Sequence, residues 1–240
     1  MLLGVIMIFK QIFDTESSTL TYLIMDEVSH EGALIDPVAS LTDYYVTLIK
    51  SLGCKLKFSL ETHVHADHIT AGGKLRQILA IQTGVSELCG APTADIQLKD
   101  GDVLKLGSQS IQVIATPGHT KGSVSFLCND RIFTGDALLI NGCGRTDFQG
   151  GSAAELFDSI TERIFTLPDE TLIYPAHDYN GRRVSSVTQE KATNFRLADK
   201  TKDEFILLMN SLNLPKPKLI DIAVPANRMC GIPEESLPQG

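Results

Sequence analysis

The sequence predicts an α+β fold in which two β-sheets are covered by outer helices. Three observations predict it. Short β segments fill the N-terminal part, a second all-β run occupies 101–136, and three helix-start signatures lie beyond residue 150. At 240 residues the chain is long enough for one large domain, or one with an appendage, and for a sizeable core.

The first β segments are 5–13, the run TLTYLIM at 19–25 and ALID at 33–36. The opening MLLGVIMIF reads as a first strand, because it has no basic leader region or small-residue cleavage site and is too short to cross a bilayer. Met7 is an equally good start to Met1. Residues 40–51 place Leu41, Tyr44, Tyr45, Leu48 and Ile49 at helical spacing, with Gly53 where a left-handed cap belongs. The segment KLKFSLE at 55–61 alternates as a strand that runs directly into a histidine cluster, and 72–81 predicts a helix. Capping boxes mark helix starts at Ser152 with Glu155, Ser186 with Gln189 and Thr201 with Glu204. In the third, Phe205, Leu208, Met209 and Leu212 form one apolar face, assigned to the core.

Charge and cysteine content narrow the function. A net charge of -8 argues against a broad grip on nucleic acid or anionic lipid. Five scattered cysteines without a C-x-x-C pair suit reduced thiols, and so a cytoplasmic protein, rather than a disulfide framework. No repeat or low-complexity linker divides the chain.

The chemistry concentrates in ETHVHADHITAGG at 61–73. On the strand that runs into this cluster, His63 and His65 point to the same side and can aim at one metal, whereas on a helix they would diverge by about 200°. Asp67 and His68 follow the turn and face either a second metal or the first ligands. His119 sits in TPGHTKGS after the strand IQVIA, Asp136 ends RIFTGD, and His177 follows TLIY. Of six histidines only His30 stands apart from such stretches. A lone histidine is more often packed than ligating, but four strand ends that each deliver an imidazole or carboxylate call for a cation as common partner. The residue types by themselves suit one metal or two.

The set H-x-H-x-D-H, His119, Asp136 and His177 resembles the metallo-β-lactamase superfamily in order and spacing, over nearly the whole chain. The resemblance implies an αββα sandwich with a metal site at one edge of the sheets, as a single domain over 1–240 with a helical C-terminal portion from about 185. In binuclear relatives such as glyoxalase II, His63, His65 and His119 would hold one zinc; Asp67, His68 and His177 would hold the other, with Asp136 bridging. The longer motifs THVHADHITA, GDALLINGCGRTDFQGG, YPAHDYNG and LNLPKPKLIDIAVPAN are similar to those of the persulfide dioxygenases.

That closer resemblance implies one Fe(II) per chain on His63, His119 and Asp136, with His65, Asp67, His68 and His177 around it. Three protein ligands on a six-coordinate ion leave room for substrate sulfur, O2 and water. The implied reaction oxidises glutathione persulfide with O2 to sulfite and glutathione. The carboxylates of glutathione call for arginine or hydroxyl donors, and the resemblance offers Arg145, Tyr179 and Arg196. The two arginines have a plainer role: Arg145 pairing with Asp147, Arg196 as a solvated helix residue. Phe195 also replaces the proline expected before Arg196. No catalytic role falls to Cys143 or Cys230. The resemblance further implies a homodimer, and the chain carries no sulfurtransferase extension, so a sulfurtransferase partner would be a separate protein. The rivals are a dizinc hydrolase of S-lactoylglutathione and a non-catalytic metal-binding scaffold.

Overall fold

The computed structural model describes residues 7–232; the expected start of the first strand at 5 and the choice between Met1 and Met7 lie outside them. Two six-stranded sheets face each other. The first, in spatial order, is β1 (Met7–Asp14), β2 (Thr19–Asp26), β3 (Glu31–Ile35), β4 (Lys55–Leu60), β5 (Gln82–Ser86) and β6 (Ile96–Leu98). It is antiparallel as far as β3 and parallel from there on. In the second, β7 (Val103–Leu106), β8 (Gln109–Ala115), β9 (Val124–Cys128) and β10 (Arg131–Gly135) form an antiparallel meander. β11 (Leu172–Pro175) joins β10 in parallel, and β12 (Ser185–Ser186) closes the edge.

Period-two alternation decides which way each strand faces. Leu20, Tyr22 and Ile24 of β2 meet Phe126, Phe133 and Tyr174 of the second sheet, whereas Leu23 points outward with Leu34. That outer face is covered by α1 (Thr42–Ser51) and α2 (Gly72–Leu79) through Tyr45, Ile49 and Leu75. On the far side, Ile114, Ile132 and Ile173 pack under α3 (Ala153–Asp158) and α5 (Lys202–Ser211). Four layers result, the expected αββα order. Each fully buried large apolar side chain contributes roughly 1.5–3 kcal/mol, so the stripe of Phe205 and Met209, with Leu208 and Leu212 beside them, belongs to the core as expected.

Gly53 adopts φ 61° and its amide bonds to the Lys50 carbonyl, the cap expected after α1. The helices after Ser152, Ser186 and Thr201 all form, the second as α4 (Val187–Thr193), but the reciprocal capping box closes only at Thr201. At the other two the serine accepts its amide while the exposed Glu155 and Gln189 side chains return no bond. The 82–98 region holds β5 and β6, and α6 (Ile220–Arg228) follows the LPKP stretch; neither was expected. Pro225 lies inside α6 and no side chain caps its start, so the usual helix signals are missing.

α1 is tied to the site side of the first sheet by one phenol. The Tyr45 hydroxyl, fully buried, accepts from the Val38 amide at 3.1 Å and bonds Thr21 Oγ1 at 2.9 Å. Tyr45→Phe would leave that amide unsatisfied, and is expected to cost about 1–3 kcal/mol in a denaturant melt.

Candidate metal centre

The site forms where strands of both sheets end and their loops converge. β3 stops at Ile35, and the next residue, Asp36, turns through φ 50° into the protein, 1 % exposed. Its carboxylate accepts the Thr62 amide at 2.7 Å and the Thr62 hydroxyl at 2.8 Å. This fixes the histidine loop as it leaves the adjacent parallel strand β4.

β4 ends at Leu60, so His63 and His65 stand on a loop and not on a continuing strand. The expectation of two imidazoles aimed by strand alternation is therefore corrected. Once Asp36 captures Thr62, ladder pairing stops and the backbone curls. The rings stay close, with centroids 4.1 Å apart, but their donor atoms fall in different clusters. His63 groups with His119 and Asp136; His65 groups with Asp67 and His177. Within each group the ligand-type atoms lie within 4.8 Å of one another.

Each imidazole has one nitrogen tied down. His63 Nδ1 lies 3.0 Å from Thr62 Oγ1, whose proton goes to Asp36. His119 Nδ1 donates to the Arg145 carbonyl at 2.6 Å, and His177 Nδ1 to the Ser18 carbonyl at 3.1 Å. Such bonds select the tautomer and leave Nε2 to face the site. Nε2 of His119 accordingly lies 3.5 Å from Asp136 Oδ2, and Nε2 of His177 lies 3.5 Å from Asp67 Oδ2. His119 reaches its place because Gly118 takes φ 127° and its Cα abuts the Leu156 backbone of α3, where a side chain would collide.

His65 is held from the opposite direction. Its Nε2 lies 3.1 Å from Asp36 and 3.4 Å from Glu61, all three buried. Sequence reasoning assigned neither carboxylate a role. The available signal was an acidic residue at the end of ALID and another opening ETHVH.

Electrostatics follow from this packing. Burial, then the neighbouring His65 and His119, hold His63 well below the usual imidazole value. It is a neutral ligand-type base. Burial also pulls on His65, but Asp36 and Glu61 outweigh it and raise its pKa well above the ordinary value. Burial pushes Glu61 up to about 7. For His177, burial is likewise outweighed, by Asp136 and Asp67, and the pKa rises.

A cavity of about 440 Å3 opens over the cluster, with His63, Asp67, His119, Asp136 and His177 on its floor. His65 and His68 lie buried behind it, among the residues that the sequence had placed in the site. Arg145, Tyr179 and Arg196 all reach its walls. Arg145 spends most of its donors elsewhere: Nε and Nη2 on Asp147 at 2.6 and 2.7 Å, Nη1 on the Pro215 carbonyl at 2.7 Å, and Nη2 also on Leu214 at 3.2 Å. Its plainer role with Asp147 is thus real, and extends to holding the LPKP strap as a wall. Arg196 is not a solvated helix residue. It follows α4, half-buried, donates to the Cys143 carbonyl at 2.6 Å and keeps a buried Nε without a partner among the described residues. Tyr179 stacks on His177 at 6.0 Å and is otherwise exposed. The Cys143 thiol is pushed up to about 11 by burial and stays protonated near neutral pH.

The donor set fits a metal. Asp136 Oδ1, His65 Nδ1 and His68 Nε2 are buried without hydrogen-bond partners among the described residues, a costly state that a cation relieves. Two imidazoles and one carboxylate suit Zn or Fe(II).

Fold and site together define a class. Residues 14–177 match the family model described as the Metallo-beta-lactamase superfamily. The "Persulfide dioxygenase ETHE1, mitochondrial" of Homo sapiens is 50% identical over 232 residues, covering 95% of this chain and 91% of the relative. The crystal structure of ETHE1 from Myxococcus xanthus superposes with a TM-score of 0.92 at 54% identity, covering 94% of this chain and 100% of that one. "Glyoxylase B2" of Dictyostelium discoideum is 29% identical, over 91% of this chain and 89% of the relative. The chain belongs to the metallo-beta-lactamase superfamily and, within it, to the persulfide dioxygenase family.

The Asp36–Glu61–His65 cluster sets a pH dependence in metal-free protein. Because the folded pKa values of His65 and Glu61 both lie above their unfolded ones, the native state binds more protons, and stability falls as pH rises through them. Because the depressed His63 and His68 act with the opposite sign at lower pH, the effect is read above neutrality: urea melts of chelated protein are expected to show stability falling as pH rises above about 7. A flat profile from pH 6 to 9 would contradict it.

Proposed function

We propose that this protein oxidises the outer sulfur of glutathione persulfide with O2, giving sulfite and glutathione. The balance is one persulfide, one O2 and one water in, with glutathione, sulfite and two protons out. The observation that carries the reading is the two-histidine, one-carboxylate face of His63, His119 and Asp136 on the floor of an open cavity, in a chain of the persulfide dioxygenase family. One Fe(II) held by these three residues would supply one-electron redox chemistry together with open positions for sulfur and oxygen.

The chain's own residues do the rest. Thr62 and the Arg145 carbonyl hold His63 and His119 in one tautomer. Asp67 and His177 border the same cavity and place a carboxylate and an imidazole beside the reacting end. Arg196 brings its guanidinium to the cavity wall, where a peptide carboxylate can pair with it, and Tyr179 its phenol; Arg145 acts through the strap it anchors. The cavity volume, about 440 Å3, suits a tripeptide-sized ligand lying partly in the open.

A second reading, a dizinc hydrolase of S-lactoylglutathione, draws on the unpartnered His65 Nδ1 and His68 Nε2, which a second metal would also satisfy. Family membership favours the first. We also place the whole of 1–240 in one domain, assign the protein to the cytoplasm on its five free thiols, and regard it as a homodimer supplied by a separate sulfurtransferase. The human relative carries "mitochondrial" in its name. Among the described residues no helix is long and apolar enough to cross a membrane.

Protein purified without added metal is expected to hold about one iron per chain and to consume O2 with fresh glutathione persulfide; two zincs with thioester hydrolysis would reverse the assignment. His119→Ala should lower the oxygen-consumption rate by roughly 100-fold or more, since even outer partners of metal ligands cost 10- to 100-fold. Arg145→Lys removes the fork to Asp147 and loosens the strap, yet keeps the backbone carbonyl that orients His119. It is expected to raise KM roughly tenfold, equivalent to about 1.4 kcal/mol, with iron content unchanged.

A further inference from the structure

The loop from Glu61 to Thr70 carries the site's first four ligand-type residues with little regular structure, yet most of it is buried. A buried irregular loop needs partners for its backbone groups. Three of them are supplied by one side chain from the other end of the chain. Asn227, on the last turn of α6 and 4 % exposed, donates from Nδ2 to the His65 carbonyl at 2.9 Å and to the His68 carbonyl at 2.8 Å. Its Oδ1 accepts the Thr70 amide at 2.9 Å.

Both amide protons and the carbonyl oxygen of Asn227 are thereby used. Asparagine is the side chain that does this at this reach: an aspartate would set its oxygens against two carbonyls, and an apolar residue would leave three backbone groups unsatisfied. The tail beyond α6 is seated against the end of the same loop and the start of α2. The Gly73 amide donates to the Cys230 carbonyl at 2.7 Å, and a Cβ at Gly73 would collide with that carbonyl and with Ile232. A Cβ at Gly231, which has φ 75°, would strike the Thr70 carbonyl.

We infer that Asn227 is a positioning residue of the metal centre: by pinning the carbonyls of His65 and His68 it holds the ligand loop in its binding shape before metal arrives. The inference rests on the reading of His63, His119 and Asp136 as metal ligands. A preformed loop spares the metal the cost of ordering it, so the clamp acts on metal retention. No contact of Asn227 with substrate is involved.

The test compares Asn227→Ala with Leu106→Ala, a core truncation on the edge strand β7. Release of iron to a chelator is followed in native buffer, and thermal unfolding of each metal-free variant is recorded beside it. Asn227→Ala is expected to release metal about 10- to 100-fold faster than the unmodified chain, while Leu106→Ala, although less stable, releases it at the unmodified rate. Equal release from the two variants would make Asn227 merely structural and overturn the inference. Should Asn227→Ala not fold, hydrogen exchange in the unmodified metal-free chain decides: the Thr70 amide is expected to be protected as well as the core amide of Leu34, and rapid exchange refutes a preformed clamp. An unmodified chain that retains no metal refutes the reading beneath, and its own metal count identifies that case.

Discussion

Everything at this site depends on how a dense group of imidazoles and carboxylates is kept away from water at the rim of two apolar sheets. Such groups are tolerated in the interior only when each has a partner. The Asp36 carboxylate is the anchor. It receives the Thr62 amide and hydroxyl and the His65 ring at once, and so holds the chain leaving a parallel strand as a loop that presents imidazoles.

The rest of the centre is assembled from the second sheet by the same logic. β8, β10 and β11 deliver His119, Asp136 and His177 from loops just past their ends. Backbone carbonyls of Arg145 and Ser18 then turn two of these rings so that their free nitrogens converge. Because the fixed nitrogens bond to backbone, ring orientation is set by the fold and needs no further ionisable residue. What remains unpaired, notably Asp136 Oδ1, faces inward at the place where a cation would sit.

The C-terminal segment has two duties in one stretch of chain. The strap at Leu214 to Pro217 walls the cavity and is held by Arg145, while α6 reaches under the histidine loop through Asn227. Arg145 shows how a residue type can mislead. An arginine beside a cavity suggests a carboxylate clamp, but its donors are directed at Asp147 and the strap carbonyls. Arg196 errs the other way: a residue that looked solvated lies against Cys143 with a donor unspent.

Local pattern in the sequence was enough for the strands of alternating β2 and β8, the helices opened by Ser152, Ser186 and Thr201, and the left-handed cap at Gly53, since each is decided by neighbours a few residues apart. The same holds for the set of histidines and aspartates that gather at the strand ends, because a strand followed by a turn and a histidine or aspartate is a local feature. Tertiary structure alone decided how those side chains divide. His63 and His65 are two positions apart, yet they belong to different clusters because Asp36 and Glu61, buried carboxylates with no local pattern to mark them, capture one ring and leave the other free. Likewise α6, with an interior proline and no cap, takes its shape from what it packs against. Burial and long-range hydrogen bonds are not encoded in any short window, so the partition of the histidines became visible only once residues from both ends of the chain stood side by side.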